Sequence, residues 1–181
     1  MRKNTYDGLT ALAVLRSKLD ASSSLEVIHE NGHNWRAHFT FQGPAKAADI
    51  GEIKRSLHVP LPPAYERFLF HYDGALLYSD DVYGQWGFQV YGTKDLLVAQ
   101  RKVQKRFGED WPPTYLAFAE SRGDADLLLL DTAQYVNESD CRVIDGDSDD
   151  HPRDWTVAAR SFGDWLDRLV VAQGAKYWRW R

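Results

Sequence analysis

Apolar and polar residues alternate with two different periods along this chain, and the switches between them divide it into elements. Leu9, Leu12, Ala13 and Leu19 recur near helical spacing, so the first segment reads as a helix to about Asp20. A small polar break covers residues 21–24. Residues 25–30 and 35–42 then alternate with the two-residue period of a strand, and Asn31 and Gly32 lie between them. Both of those residues tolerate positive φ, so the pattern predicts an antiparallel hairpin. Asp49 and Glu52 have capping-box spacing beside an Ile50, Ile53, Leu57 stripe, which predicts a helix stopped by Pro60. Pro62 and Pro63 suit the first turn of another helix. Its Tyr65, Phe68, Leu69 and Tyr72 fall at i, i+3, i+4 and i+7, which makes one buried face, and Asp73 with Gly74 stops it.

Strand patterns follow at 75–78, 87–91, 115–120, 125–131 and 141–144, interrupted by a helix over about 93–107. The unbroken run from Leu127 to Leu130 suits a central strand or one covered on both faces. Ser161 stands as N-cap, with Asp164 three residues on. Phe162, Trp165, Leu166, Leu169 and Val170 line one face of a last helix that Gly174 ends. There is no internal repeat and no long linker. Helices at both ends with strands grouped between them predict a single α+β domain over 1–181. Its sheet is expected to be mixed and largely antiparallel, packed by helices, with an N-terminal helix and hairpin and a C-terminal helix. Residues 1–48 read as a possible extension, 49–174 as the core and 175–181 as a basic-aromatic tail.

Composition narrows the classes. A chain of 181 residues suits one domain with a substantial core. Hydrophobic residues at 44% and seven tryptophans exclude a disordered chain. A net charge of −4 argues against a general nucleic-acid binder, which needs a basic face. The single cysteine, Cys141, forbids an intrachain disulfide and suits a reducing cytoplasm. Arg16, Lys18 and Asp20 interrupt any signal-like apolar core, and the apolar runs fall short of a membrane span. A soluble cytoplasmic protein is expected.

Four stretches carry a resemblance. PLPPAYERFLFHYDGA contains Leu-Pro, an aromatic, Phe-Leu and a closing acidic-Gly pair. YLAFAESRGDADLLLLDT reads as paired strands joined by a Gly-Asp turn. CRVIDGDSDD reads as a strand and an acidic loop, and SFGDWLDRL as a terminal helix. In this order, over roughly 50–171, they resemble the SUKH superfamily, which includes a fungal regulator of cell-wall synthesis and many bacterial immunity proteins. The resemblance implies a non-catalytic protein-binding module that holds a cognate toxin tightly and blocks its active site. Such toxins often act on nucleic acids through basic clefts, so an acidic surface would steer association. The alternative within the same fold is a regulatory or scaffold protein without a toxin. Packing alone accounts for Leu61, Phe68, Leu69, Phe162, Trp165 and Leu166, so the motifs speak for fold first.

Candidate chemistry is sparse. His29, Glu30 and His33 spell H-E-x-x-H, which binds zinc only on a helix; here Asn31 and Gly32 place it at a hairpin turn, with His38 a weak third ligand. A metal-dependent hydrolase is therefore the least favoured function. Asp145, Asp147, Asp149 and Asp150 resemble the start of a calcium loop, but Asp150 stands where Gly is needed and Thr156 where Glu is needed. Residues 145–154 hold five Asp and one Arg, which makes either a solvated loop or an acidic face for a basic partner. Cys141 sits beside Val143 and Ile144 in strand pattern, so it reads as a sheet-packed thiol. Tyr78, Tyr83, Trp86, Phe88 and Tyr91 interleave with Asp80 and Asp81, and Trp86 tips the 84–87 loop. The tail alternates Lys176, Tyr177, Trp178, Arg179, Trp180 and Arg181. That pattern suits stacking on single-stranded nucleic acid, but with no wider basic face it suits better a tail folded over the body. The expected partner-binding residues are Asp80, Asp81, Tyr83, Trp86, Asp145, Asp147, Asp149 and Asp150. No catalytic residue, metal or cofactor is expected, nor a membrane or direct nucleic-acid partner.

Overall fold

The computed structural model describes residues 8–28, 32–80, 85–137 and 140–180. Helix α1 (Leu9–Ser17) precedes β1 (Ser24–Ile28) and β2 (Asn34–Phe41). Helices α2 (Ala47–Ser56) and α3 (Pro63–His71) lead to β3 (Ala75–Asp80) and the short β4 (Phe88–Val90). Helix α4 (Thr93–Phe107) is followed by β5 (Tyr115–Ser121), β6 (Leu127–Asn137), β7 (Asp140–Gly146) and β8 (Thr156–Ala159). Helix α5 (Phe162–Val171) and a 3-10 turn (Tyr177–Arg179) complete the order.

The strands form one sheet in chain order, β1 to β8, and every pairing is antiparallel. The α+β architecture is the expected one, and the sheet is antiparallel throughout the described residues instead of merely largely so. Both helical excursions, α2–α3 and α4, return the chain to the end of the sheet it left. The alternating segments pair as a hairpin from Ser24↔His38 to Ile28↔Asn34. Strand β8 carried no clear sequence signal; it has four residues, and only Ala158 and Ala159 are buried.

Helix α5 packs on β7 and β8 and against α1 and α3, whereas α4 packs on β5 and reaches α2. Aromatic rings fill the space under α5. Trp165 meets Phe118 edge-on at 5.1 Å, and Phe162 meets Phe118, Tyr65 and Phe68 at 5.4–5.6 Å. All five side chains are fully buried. Each such burial contributes about 1.5–3 kcal/mol, before ordering costs. The Tyr65 hydroxyl donates to the Tyr91 carbonyl at 2.5 Å, so the ring is buried without stranding its polar end. Leu127 to Leu130 are all buried, as their continuous run predicts for a strand covered on both faces.

Helix ends follow their chemistry. Ser161 accepts from the Asp164 N–H at 3.1 Å, as its spacing predicts. The buried Asp140 carboxylate accepts from the Phe162 N–H at 2.9 Å and the Gly163 N–H at 3.2 Å, satisfying two otherwise orphaned donors of α5. At α2 the capping-box assignment is corrected: Lys46 is the N-cap and Asp49 lies in the first turn, where the helix dipole still favours its charge. Helix α1 stops at Ser17 and not at Asp20, because the Asp20 carboxylate folds the next turn by accepting from the Ser22 and Ser24 N–H groups at 2.8 and 3.0 Å.

Candidate partner-binding surface

A sequential antiparallel order gathers alternate connections at one end of the sheet. The β1–β2, β3–β4, β5–β6 and β7–β8 links share this pole. The end of α5 joins them, because Gln173 accepts from the Ile28 N–H at 2.7 Å. The described residues among those expected from sequence to bind a partner, though far apart in the chain, belong to two of these links or to the strand ends beside them. Asp80 ends β3 and Trp86 precedes β4; Asp145 lies in β7, and Asp147, Asp149 and Asp150 follow it. Asp81 and Tyr83 lie outside the described residues, as do His29 and Glu30 of the H-E-x-x-H sequence.

The C-terminal tail knits this pole together. The Arg179 guanidinium donates through Nε and Nη2 to the two Asp145 oxygens at 2.7 and 2.9 Å. The same Nη2 lies 2.9 Å from Asp126 and 3.1 Å from Asp147. Lys176 pairs with Asp126 and, at 2.5 Å, with Asp124. Asp126 and Asp145 are only 4% and 5% exposed at their side chains, and Arg179 is 34% exposed. The Arg179 side chain is held above its ordinary value, chiefly by the hydrogen bond to Asp145. Burial alone would raise the Asp126 carboxyl. Hydrogen bonds from Lys176 and the Ser148 N–H, with the charges of Lys176 and Arg179, bring it below its ordinary value instead. The tail is thus folded over the body, and its two described cations are occupied by aspartates.

The expected site residues therefore divide. Asp145 and Asp80 are buried. Asp147 is half-buried; its side chain accepts from the Asp149 N–H at 3.0 Å and its carbonyl from the Trp155 indole at 3.0 Å, which fixes the loop. Asp149, Asp150 and Trp86 are exposed. Sequence reasoning expected the tail that carries Lys176 and Arg179 to fold over the body, but missed Asp124 and Asp126 as its partners and the pairing of Arg179 with Asp145. The signal was available: a basic tail and two acidic turns of opposite charge in one short chain.

Trp86 and Trp180 are 51% and 57% exposed. With Trp35, Tyr78, Phe88 and Lys176 they line a cavity of about 220 Å³ at the pole. The loop carrying Trp86 is set by backbone contacts. The Arg122 N–H donates to the Gly87 carbonyl at 2.9 Å, and a Cβ on Gly123 would stand 2.2 Å from the Gln85 carbonyl oxygen. Only glycine permits that approach. On β3, Tyr78 has φ 54 where two residues of β3 oppose Phe39 of β2. Such a bulge increases the local twist of its strand. The strained ring is held by Phe39, edge-on at 4.7 Å, and by Gly174, whose absent side chain leaves it room.

Among the described residues, no three His, Cys, Asp or Glu side chains are grouped so as to hold a metal ion. His38 meets Ser24 at 3.1 Å, and Ile28 pairs with Asn34 across the H-E-x-x-H stretch. Cys141 is buried, and burial first, with the charges of Asp140 and Asp131, pushes its thiol up. Among the described residues no helix is long and apolar enough to cross a membrane.

Comparison with known proteins agrees with this architecture. The pattern of the SMI1/KNR4 family (SUKH-1) matches residues 44–168, most of the chain, and the chain belongs to that family. It is 25% identical over 142 residues to the uncharacterized protein YnaB of Bacillus subtilis (strain 168), covering 78% of this chain and 88% of that protein.

Proposed function

We propose that this SMI1/KNR4-family chain is a non-catalytic protein-binding module, and specifically a cytoplasmic immunity protein that occludes the active site of a cognate bacterial toxin. The observation that carries the reading is the pair of exposed indoles, Trp86 and Trp180, over an aromatic-floored cavity at the loop pole. Tryptophan held by rigid backbone is the residue type that most often dominates binding energy. Asp149 and Asp150 remain exposed at the same pole and supply negative potential for a basic, nucleic-acid-acting toxin. In this proposal Trp86, Asp81, Tyr83, Asp149 and Asp150 touch the partner. Asp145 and Asp147 hold the loop that presents Asp149 and Asp150.

The test is affinity for the product of the neighbouring gene, measured by calorimetry after co-purification. Trp86→Ala is expected to weaken binding about thirtyfold, the equivalent of ~2 kcal/mol at a binding hot spot. Asp149→Lys with Asp150→Lys is expected to slow association and flatten its salt dependence. Wild-type affinity in all these variants would remove the pole from the interface. If no neighbouring product binds and none causes a growth defect that this chain relieves, the toxin reading fails and a scaffold of the same fold remains.

A further inference from the structure

The sheet has two outer edges, β1 and β8, and the chain treats them differently. In an antiparallel ladder successive residues turn their N–H and C=O to opposite sides. The Phe39 N–H donates to the Ser23 carbonyl, so on β1 it is Ser24, Glu26 and Ile28 that face outward. Asp20 closes off Ser24: its carboxylate accepts from the Ser24 N–H at 3.0 Å, and its own N–H donates to the Ser24 carbonyl at 3.0 Å. The Ile28 N–H is taken by the Gln173 side chain at 2.7 Å. Between them stands Glu26, exposed and charged, a residue type that discourages strand addition.

The first half of β8 has no such guard. The Ser121 N–H donates to the Asp126 carbonyl, so Asp126 faces β5 and Leu127 faces β7. Leu127 pairs with Gly146 and Asp145 with Thr156, so the same alternation turns Thr156 toward β7 and Val157 outward. Among the described residues no side chain meets the Val157 N–H or C=O; the edge is closed only further on, where the Arg160 N–H donates to the Asp164 carboxylate at 3.3 Å. Thr156 and Val157 are both exposed, Val157 by 50%, so neither face of the sheet is covered there. Asp154 precedes Val157 by three residues and Arg160 follows it by three. Their side chains are 64% and 81% exposed, in loose ion pairs at 3.9 and 3.8 Å. An apolar centre with an acid on one side and a base on the other is complementary to itself when reversed.

We propose that β8 pairs antiparallel with β8 of a second copy of this chain, about a two-fold axis at Val157, which sets Asp154 of each chain near Arg160 of the other. The guards on β1 favour this occupant. Addition of β8 to the β1 edge of another copy would grow head to tail without closing, and Asp20, Gln173 and Glu26 oppose it; pairing of like edges closes at two. So short a strand makes a small contact, of the weak and concentration-dependent class. The two strands run in opposite directions, so the loop poles lie at opposite ends of the joined sheet and both stay open. The pairing is therefore independent of the toxin contact proposed above.

Sedimentation equilibrium of the whole chain, from micromolar to near-millimolar concentration, tests this. A monomer–dimer equilibrium is expected. Val157→Lys should weaken it at least tenfold, because it sets two like charges at the axis. Asp154→Arg and Arg160→Asp should each weaken self-association severalfold, whereas an equimolar mixture of these two variants should recover the parent affinity, since both charge pairs are then restored between unlike chains. A fold damaged by either substitution would not recover on mixing. Glu26→Lys, on the opposite edge, should stay within twofold of the parent. A monomer at every concentration, a dimer indifferent to Val157→Lys, charge variants that do not rescue each other, a dimer lost in Glu26→Lys or growth beyond two copies overturns the proposal. The measurement uses this chain alone, so its failure leaves the toxin-binding proposal untouched.

Discussion

Replacing Arg179 with alanine is expected to destabilise the protein by about 2–3 kcal/mol. The guanidinium serves Asp145 through two hydrogen bonds at 2.7 and 2.9 Å and also touches Asp126 and Asp147. Removing one partner of a buried pair costs about 3–5 kcal/mol, because the other charge is left desolvated and uncompensated. Two facts reduce that figure here. Arg179 is one-third exposed, so solvent already screens part of the attraction, and Lys176 still neutralises Asp126. In a domain of this size each kcal/mol lowers Tm by about 2–4 °C, so a fall of roughly 5–10 °C should appear in thermal unfolding followed by circular dichroism. Trp178 packs on Phe88 at 6.0 Å, so a loosened tail should also change tryptophan emission before global unfolding. Asp145→Asn combined with Arg179→Ala should cost less than the two single losses added, since the double variant leaves no stranded charge. A Tm within about 1 °C of the parent for Arg179→Ala, or strict additivity in the double variant, would refute the reasoning and reduce the latch to a surface ion pair.

Three further outcomes follow from the same geometry. The Asp126 carboxyl lies below its ordinary value, so its stabilising share is complete above about pH 4 and is lost as pH falls through the lowered value. Urea midpoints should drop over that range, and less so in Asp126→Asn. Gly174→Ala places a side chain at φ 86 with its Cβ 2.4 Å from Tyr78 Cγ, so it should cost more than the ~1–2 kcal/mol of left-handed strain alone and alter near-ultraviolet circular dichroism; an unchanged urea midpoint would contradict this. Cys141, buried with its thiol pushed up, should resist iodoacetamide at pH 8 until urea unfolds the chain, and rapid alkylation of the folded protein would contradict the burial.

Periodicity made most of the fold legible. The Tyr65, Phe68, Leu69 stripe, the Leu127 to Leu130 run and the Ser161 cap each encode a local requirement that the chain satisfies on its own. Strand β8 was hidden because a four-residue edge strand with two exposed positions has almost no alternation to display. The pole was half legible. Its exposed Trp86 and acidic turns stand out in the sequence, but which aspartates face inward depends on Arg179, which meets Asp145 from 34 residues away.

The strictly consecutive strand order also shapes how such a protein changes over generations. A sheet in which each strand's neighbours are its chain neighbours can gain or shed a hairpin at its margin without rethreading the rest. The family pattern begins at residue 44, just after β2, and β3 keeps β4 as a partner whatever lies on its other side. The β1–β2 hairpin is joined at that margin, and its Ile28↔Asn34 pair lies at the end of the sheet nearest the tryptophan pole. A hairpin joined at that edge brings its connection to the end of the sheet where the β5–β6 and β7–β8 links lie, and leaves the packed interior as it is.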